Sequence, residues 1–254
     1  MDELYKSIKY IVMDLDDTLL RKDKSISEYT LETLKRVKEK GYKIVFNTSR
    51  SMQNSEELFQ LVDADYGIYS GGCDIIDKNH KKIYFKAIPG NEIQKIVENL
   101  LEFCPKISIQ TAEHFYASDK EYKKQNAIYY DFSKGFNIDS LKILAYTMDF
   151  ERIQKLADDF NLEHQNYLNR GWHRLSVKGA TKWSGILKLL EYLGEDTSTI
   201  MTFGDDFGDQ EMIEKAHIGV AMANSQPVVL EHAKHIALSN NEDGLAHFLE
   251  EHLL

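Results

Sequence analysis

The chain has 254 residues, 43% hydrophobic and 28% charged, with 31 basic against 41 acidic side chains and a net charge of −10. That length supports one large or two modest globular domains with a sizeable core. The acidic balance argues against nucleic acid or anionic membrane as a partner, and no apolar run reaches the ~20 residues of a transmembrane helix.

The start, Met1-Asp2-Glu3, lacks the basic and apolar regions of a secretory leader. Cys73 and Cys104 stand far apart, outside any C-x-x-C pairing, and read as reduced thiols of a cytoplasmic protein. The basic stretch Lys120–Lys124 is short, mixed with acid, and reads as a solvated helix face.

Tyr10-Ile11-Val12-Met13 is the apolar run of a buried strand, and Asp14-Leu15-Asp16-Asp17-Thr18 follows at its C-terminal end. Ser27 predicts the N-cap of a helix running to Lys40, with Leu31, Leu34 and Val37 inward and Gly41 as terminator. Tyr42 to Phe46 predicts a second buried strand, followed by Asn47-Thr48-Ser49-Arg50 and a helix from Ser51 to Leu61. Tyr66 to Tyr69 predicts a third strand ending in Ser70-Gly71-Gly72, and Asp77 to His80 a hairpin turn before Ile83–Phe85.

The middle of the chain differs. Ile93, Ile96, Val97, Leu100 and Leu101 fit a helix begun at Pro89-Gly90-Asn91. Ile107–Gln110, Leu141–Tyr146 and Arg174–Val177 read as strands, and Glu151–Phe160 as a helix. This predicts an α+β insert with an antiparallel sheet over residues 85–177. The βα rhythm then returns with a helix over Thr181–Leu193, a strand over Thr199–Phe203 and the loop Gly204-Asp205-Asp206-Phe207-Gly208-Asp209. Ile218–Met222 and His235–Leu238 read as further strands, each followed by a helix. The flanks, residues 1–84 and 178–254, are expected to form one α/β domain with a doubly wound, Rossmann-like parallel sheet.

Three strand ends carry polar clusters: Asp14 with Asp16, Thr48, and Asp205 with Asp209. Strand C-termini of one parallel sheet share an edge, where ligands bind, so these clusters can meet. Paired anions repel and suggest a cation between them or a shared proton. Taken singly, Asp205 and Thr48 are as compatible with helix caps, Lys182 with an exposed helix lysine and Arg50 with a surface ion pair.

As a set, the motifs resemble the haloacid dehalogenase-like hydrolases, specifically the Cof-type phosphatases with a type IIB cap. The matching pieces are Asp14 to Leu19, Asn47 to Arg50, Gly179 to Lys182, Gly204 to Asp209, Gly219 to Ser225 and Asn241 to Gly244. The resemblance implies that Asp14 is the nucleophile, forming an aspartyl-phosphate, and that Asp16 is acid to the leaving oxygen and then base for water. It implies a Mg²⁺ site of Asp14, Asp205 and the backbone carbonyl of Asp16, with Asp209 holding the ion, a metal-bound water or Lys182. It further implies that Lys182, Thr48, Ser49 and Arg50 bind phosphate, and that Asn224 lines the site or makes a turn. A carboxylate ~3 Å from a phosphate dianion at an effective dielectric of ~20 faces roughly 11 kcal/mol of repulsion, which a divalent cation and Lys182 can offset.

The chain departs from the family where Ser49 replaces Gly, Ser70-Gly71-Gly72 replaces Asn-Gly-Ala, and Gly208 replaces Asn. The last removes a polar group near the metal and predicts weaker metal affinity. The implied function is hydrolysis of small phosphate esters by a monomer or homodimer without nucleic-acid or membrane partners. The alternatives are a hexose phosphomutase, which needs clustered Arg in the insert where only Arg152, Arg170 and Arg174 occur, and a catalytically weak binding protein on a phosphatase scaffold. The insert is expected to select substrate; His114, Tyr116, Tyr129, Tyr130, His173 and Arg174 are candidates without assignment, and Trp172 and Trp183 read as packing anchors. No G-x-G-x-x-G follows a strand and no phosphate-cradling G-x-x-x-x-G-K-[ST] occurs, so a dinucleotide or ATP site is not expected.

Overall fold

The computed structural model describes residues 3–122, 126–166 and 171–254. Lys123 and Lys124 of the basic stretch, Arg170, and Met1 and Asp2 lie outside the described residues. The chain divides into two compact units, one of residues 1–84 with 181–254 and one of residues 85–180.

The first unit opens with β1 (Tyr10–Met13), α1 (Glu28–Glu39), β2 (Lys43–Asn47), α2 (Glu56–Val62), β3 (Tyr66–Tyr69), β4 (Asp74–Asp77) and β5 (Lys82–Phe85). Ser27 caps α1 by accepting from the Thr30 amide, and Gly41 follows its end at φ +97°. The second helix starts at Glu56, not Ser51: residues 51–55 turn instead, and the Ser55 hydroxyl donates to the Ser51 carbonyl. Strand β4, which sequence reading did not separate from the hairpin, pairs antiparallel with β3.

The second unit holds α3 (Gly90–Leu100), β6 (Lys106–Thr111), β7 (Phe115–Ala117), β8 (Ile128–Tyr129), β9 (Ser140–Tyr146), α4 (Phe150–Asp159), β10 (Leu162–Asn166) and β11 (Trp172–Val177). Its strands form one sheet in the order β10-β11-β9-β6-β7-β8, antiparallel except between β7 and β8. Ile107, Ile109, Ile143, Ala145, Leu175 and Val177 alternate onto one buried face, matched by Ile93, Ile96, Val97 and Leu100 of α3 and Ile153, Leu156 and Ala157 of α4.

The chain returns to the first unit with α5 (Lys182–Leu193), β12 (Ile200–Gly204), α6 (Gln210–Lys215), β13 (Ile218–Met222), α7 (Pro227–His232), β14 (His235–Ala237) and α8 (Gly244–Leu253). The sheet of this unit is 8-stranded, in the order β14-β13-β12-β1-β2-β3-β4-β5. Every pairing from β14 to β3 is parallel, so the expected doubly wound sheet is present, with an antiparallel hairpin added at one edge. Alternation along the central strands sends Ile11, Met13, Ile44 and Phe46 to the side of α1, α2 and α8. Val12 and Val45 go to the side of α5, α6 and α7, where Trp183 packs as an anchor.

Two glycines set the distance between α5 and the sheet. A Cβ on Gly185 would lie 2.6 Å from Cγ2 of Ile68 and 2.9 Å from Cα of Gly72. A Cβ on Gly72, itself at φ +97°, would lie 2.3 Å from the Thr181 carbonyl oxygen. Only hydrogen at both positions lets the helix start this close to the strand ends.

Candidate active site

The order β12-β1-β2 lays three loops side by side at one sheet edge: Asp14 after β1, Thr48 after β2 and Asp205 after β12. The Asp14 amide still bonds the Phe203 carbonyl at 3.0 Å, which anchors the nucleophile candidate to the ladder. The chain then turns sharply, with Asp17 at φ +58° and the Leu20 amide returning to the Leu15 carbonyl at 2.8 Å.

Lys182 is the first residue of α5, after the Thr181 cap. A cation there opposes the helix dipole, and a buried cation needs counter-charge. Lys182 has both: its Nζ lies 2.8 Å from Oδ1 of Asp14 and 2.5 Å from Oδ1 of Asp209. Burial disfavours its charge, but the two carboxylates outweigh that and hold its pKa above the usual lysine range. Asn47, wholly buried, donates to the Lys182 carbonyl at 3.1 Å and fixes the helix start.

Asp209 is fully engaged. Oδ1 takes Lys182, and Oδ2 accepts the amides of Asp205 and Asp206 at 3.2 and 3.1 Å. It thereby shapes the loop that carries Asp205. Oδ1 of Asp205 accepts the Thr18 hydroxyl at 2.8 Å. Oxygens of Asp14, Asp205 and Asp209 lie within 4.8 Å of one another. Burial, then the neighbouring acids, push Asp205 up to about 8. Burial also raises Asp14, to about 7, against the opposing pull of Lys182. Three acids held this close in a buried setting are a poor arrangement by themselves and a good one around a hard divalent cation, which prefers carboxylate and carbonyl oxygen.

Asp16 is held differently. Arg50 donates to it twice, and Lys24 Nζ lies 2.9 Å from its Oδ1. Burial alone would raise Asp16, but these two cations bring it down to about 2. The Thr48 hydroxyl accepts the Arg50 amide at 3.1 Å and Thr48 is buried; Ser49 beside it is half-buried. Asn224 donates to the Asp17 carbonyl at 2.8 Å and accepts the Asn240 amide at 2.9 Å. Its amide thus braces the loop that follows β1, where lining the site and making a turn were the two expected roles.

Sequence reading assigned no role to Thr18, Asn47 or Lys24. Thr18 stood in the motif, and its hydroxyl was the available signal. Lys24 gave none, because only a left-handed turn at φ +68° brings it back to Asp16. Elsewhere, His173 is buried and bonded to His164, while Tyr116 and Tyr130 pack against Phe136. No helix among the described residues is long and apolar enough to cross a membrane.

Comparisons with known proteins bear on the family and the fold. The 5-amino-6-(5-phospho-D-ribitylamino)uracil phosphatase YitU of Bacillus subtilis is 27% identical over 261 residues, covering 95% of this chain and 96% of that protein. A haloacid dehalogenase-like hydrolase of Bacteroides thetaiotaomicron has the same fold, with TM-score 0.82 and 23% identity over 96% of this chain and 99% of its own. So does the subclass IIB sugar phosphatase BT4131, with TM-score 0.82 and 22% identity over 96% of this chain and 98% of its own. The sequence matches the haloacid dehalogenase-like hydrolase family from residue 11 to residue 249. Enzymes of that family generally use a divalent metal, for which the three acids are a fitting donor set. A sheet edge carrying Asp14, Lys182, Asp205 and Asp209, in a chain matched along nearly its whole length, makes this protein a member of the haloacid dehalogenase-like hydrolases, as one of their Cof-type phosphatases.

Proposed function

We propose that the enzyme is a Mg²⁺-dependent phosphatase of small phosphorylated metabolites, sugar phosphates or similar, working through an aspartyl-phosphate on Asp14. The observation that carries this reading is the cluster itself: Asp14, Asp205 and Asp209 within 4.8 Å, and the Lys182 ammonium 2.8 Å from Asp14. A polyol or sugar phosphate is supported by the names of YitU and BT4131.

In this reading a carboxylate oxygen of Asp14 attacks phosphorus while the ester P–O bond breaks. Asp16, taking a proton from solvent once Arg50 has left it for the phosphate, gives that proton to the leaving oxygen. Water then attacks the phosphorus of the acyl phosphate, Asp16 takes the proton of that water, and Asp14 leaves as carboxylate with inorganic phosphate released. Lys182, the Thr48 hydroxyl and the Ser49 amide hold the phosphoryl oxygens, and Arg50 joins them when it leaves Asp16. Asp14, the Asp16 carbonyl and Asp205 would hold Mg²⁺, with Asp209 behind them fixing Lys182 and the Asp205 loop. Bound there, the ion supplies the positive charge against which two anions can approach.

A cytoplasmic location, as monomer or homodimer, belongs to the same reading; Cys73 and Cys104 are both buried and outside any disulfide. The test is phosphate release from p-nitrophenyl phosphate with Mg²⁺. Asp14→Asn should lower it by about 10³-fold or more. Full activity in Asp14→Asn, or none in the natural chain with any of a few dozen phosphorylated metabolites, overturns the proposal.

A further inference from the structure

The cations around Asp16 divide its two oxygens unequally. Oδ2 receives Nε of Arg50, at 2.7 Å. Oδ1 receives Nη2 of Arg50 at 2.7 Å and lies 2.9 Å from Nζ of Lys24. Among the described residues, no other side chain reaches Oδ2. When Arg50 turns to an arriving phosphate, Oδ1 keeps its ammonium and Oδ2 is uncovered. An ammonium is a compact point donor that can hold one oxygen, where the guanidinium fork takes both.

Lys24 reaches Asp16 from a closed turn. The Arg21 amide donates to the Ser25 carbonyl at 3.0 Å and the Lys24 amide to the Arg21 carbonyl at 2.8 Å, with Lys24 itself at φ +68°. The segment before α8 fastens this turn in place. Arg21 pairs with Asp243 at 2.6 Å, the Lys22 amide donates to Oδ1 of Asn241 at 3.1 Å, and Asn240 Nδ2 donates to the Leu20 carbonyl at 2.9 Å. Left-handed backbone is costly for a residue with a Cβ, and a half-exposed ion pair returns little stability. Such conformations persist where the surroundings over-determine them, and they gather at active sites. Here the tethers and one left-handed residue bring an ammonium to a single oxygen of the acid–base residue.

We propose that Lys24 is a positioning residue for the acid–base step: it holds Oδ1 of Asp16, so that Oδ2 carries the proton exchanged with ester and water. This rests on the phosphatase reading and deepens it. As Asp14 bonds to phosphorus and the ester P–O bond breaks, the leaving oxygen keeps the electron pair of that bond and takes the proton from Oδ2. Oδ2, a carboxylate oxygen again, then removes a proton from the water that attacks the acyl phosphate. Without Lys24, Asp16 has no side-chain partner among the described residues once Arg50 has gone. Its proton is then no longer delivered from one fixed place, and a displacement of ~1 Å in such a geometry costs about 10²-fold.

The experiment compares kcat/KM, with Mg²⁺, for p-nitrophenyl phosphate and p-methoxyphenyl phosphate in the natural enzyme, Lys24→Met and Lys24→Gln. The two esters have similar shapes and differ in leaving group: p-nitrophenolate departs with little help from an acid, and p-methoxyphenolate needs one. Both variants should lose about tenfold or more on the p-methoxy ester and about threefold or less on the p-nitro ester. A merely structural role, or a contact to the phosphate, would lower both esters alike. Equal losses on the two esters, or no loss on either, overturn the role of Lys24 while leaving the phosphatase reading intact. If the natural enzyme hydrolyses neither ester, the role of Lys24 is overturned as well, and the metabolite screen above then decides the phosphatase reading separately.

Discussion

Arg50 closes a two-pronged ion pair on Asp16, Nε to Oδ2 and Nη2 to Oδ1, both at 2.7 Å. The residue proposed to protonate the leaving group is therefore held as a carboxylate, at a pKa of about 2, by Arg50, a residue proposed to bind phosphate, together with Lys24. The two roles are compatible if an arriving phosphate competes for the guanidinium, since a bidentate fork serves either anion equally well. Arg50 then couples substrate arrival to a rise in the basicity of Asp16, whose remaining ion pair is with Lys24.

Arg50→Lys keeps the charge and loses the fork. It should raise KM more than it lowers kcat, with kcat/KM for an aryl phosphate down by about tenfold; Arg50→Ala should lose about 10²-fold. The pair is half-exposed, so stability should change by no more than about 1 kcal/mol. Steady-state kinetics with a thermal melt separate the two effects. Equal kinetics in all three proteins would remove Arg50 from the mechanism.

Lys182 lies between two buried carboxylates, and removing it leaves both without counter-charge. Lys182→Met should abolish activity and cost about 3–5 kcal/mol of stability without added metal. Adding Asp209→Asn should restore much of the stability and none of the activity. Denaturant melts of the single and double variants, read beside phosphate release, check this. A Lys182→Met protein that melts like the natural one would mean that its neighbours protonate without cost.

The second unit carries its own titrating pair. His173 bonds His164 at 2.9 Å and meets the Thr147 carbonyl at 3.2 Å. Burial lowers both imidazoles; His173 adds to the lowering of His164, while Asp158 and Glu163 oppose it. Both histidines therefore bind protons more readily in the unfolded chain. Stability from this pair is full above the unfolded pKa of about 6.5 and is lost as pH falls below it. The melting temperature should drop between about pH 7.5 and about pH 5.5, and the slope should flatten in His164→Asn. An unchanged slope in that variant would rule the pair out as its source.

The parallel sheet was readable because its strands are buried on both faces and so appear as unbroken apolar runs, Tyr10–Met13 and Ile218–Met222 among them. The site was readable where chemistry sits directly at a strand end or helix start, as with Asp14, Asp205 and Lys182. What was lost depends on pairing or on turns. Leu-Glu-His-Gln-Asn of β10 has no strand pattern and is extended because β11 lies beside it. Strands β7 and β8 are three and two residues long, too short to carry a period. The clamp on Asp16 requires the left-handed residues Asp17 and Lys24, conformations that composition does not announce for Asp and Lys.

Metal binding should follow pH in a way the acids dictate. Asp14 rests at about 7 and Asp205 at about 8, both raised first by burial. Raised acids hold protons near neutrality, and a cation must displace them, so Mg²⁺ affinity rises with pH and flattens above about 8. The metal-free protein behaves in the opposite sense: its stability falls as pH climbs from the unfolded carboxylate value of 3.8 and levels off above about 8, because in that range the unfolded chain has lost protons that the folded one still holds. The Mg²⁺-induced rise in melting temperature should therefore be small near pH 6 and large near pH 8.5, with affinity gaining up to about tenfold per pH unit for each proton displaced. Asp205→Asn keeps an acceptor for the Thr18 hydroxyl while removing one charge from the ion. It should abolish most of the Mg²⁺ shift and, by relieving repulsion, raise the metal-free melting temperature at high pH. A Mg²⁺ shift of equal size at both pH values, surviving Asp205→Asn, would mean that the ion binds elsewhere on this acidic chain.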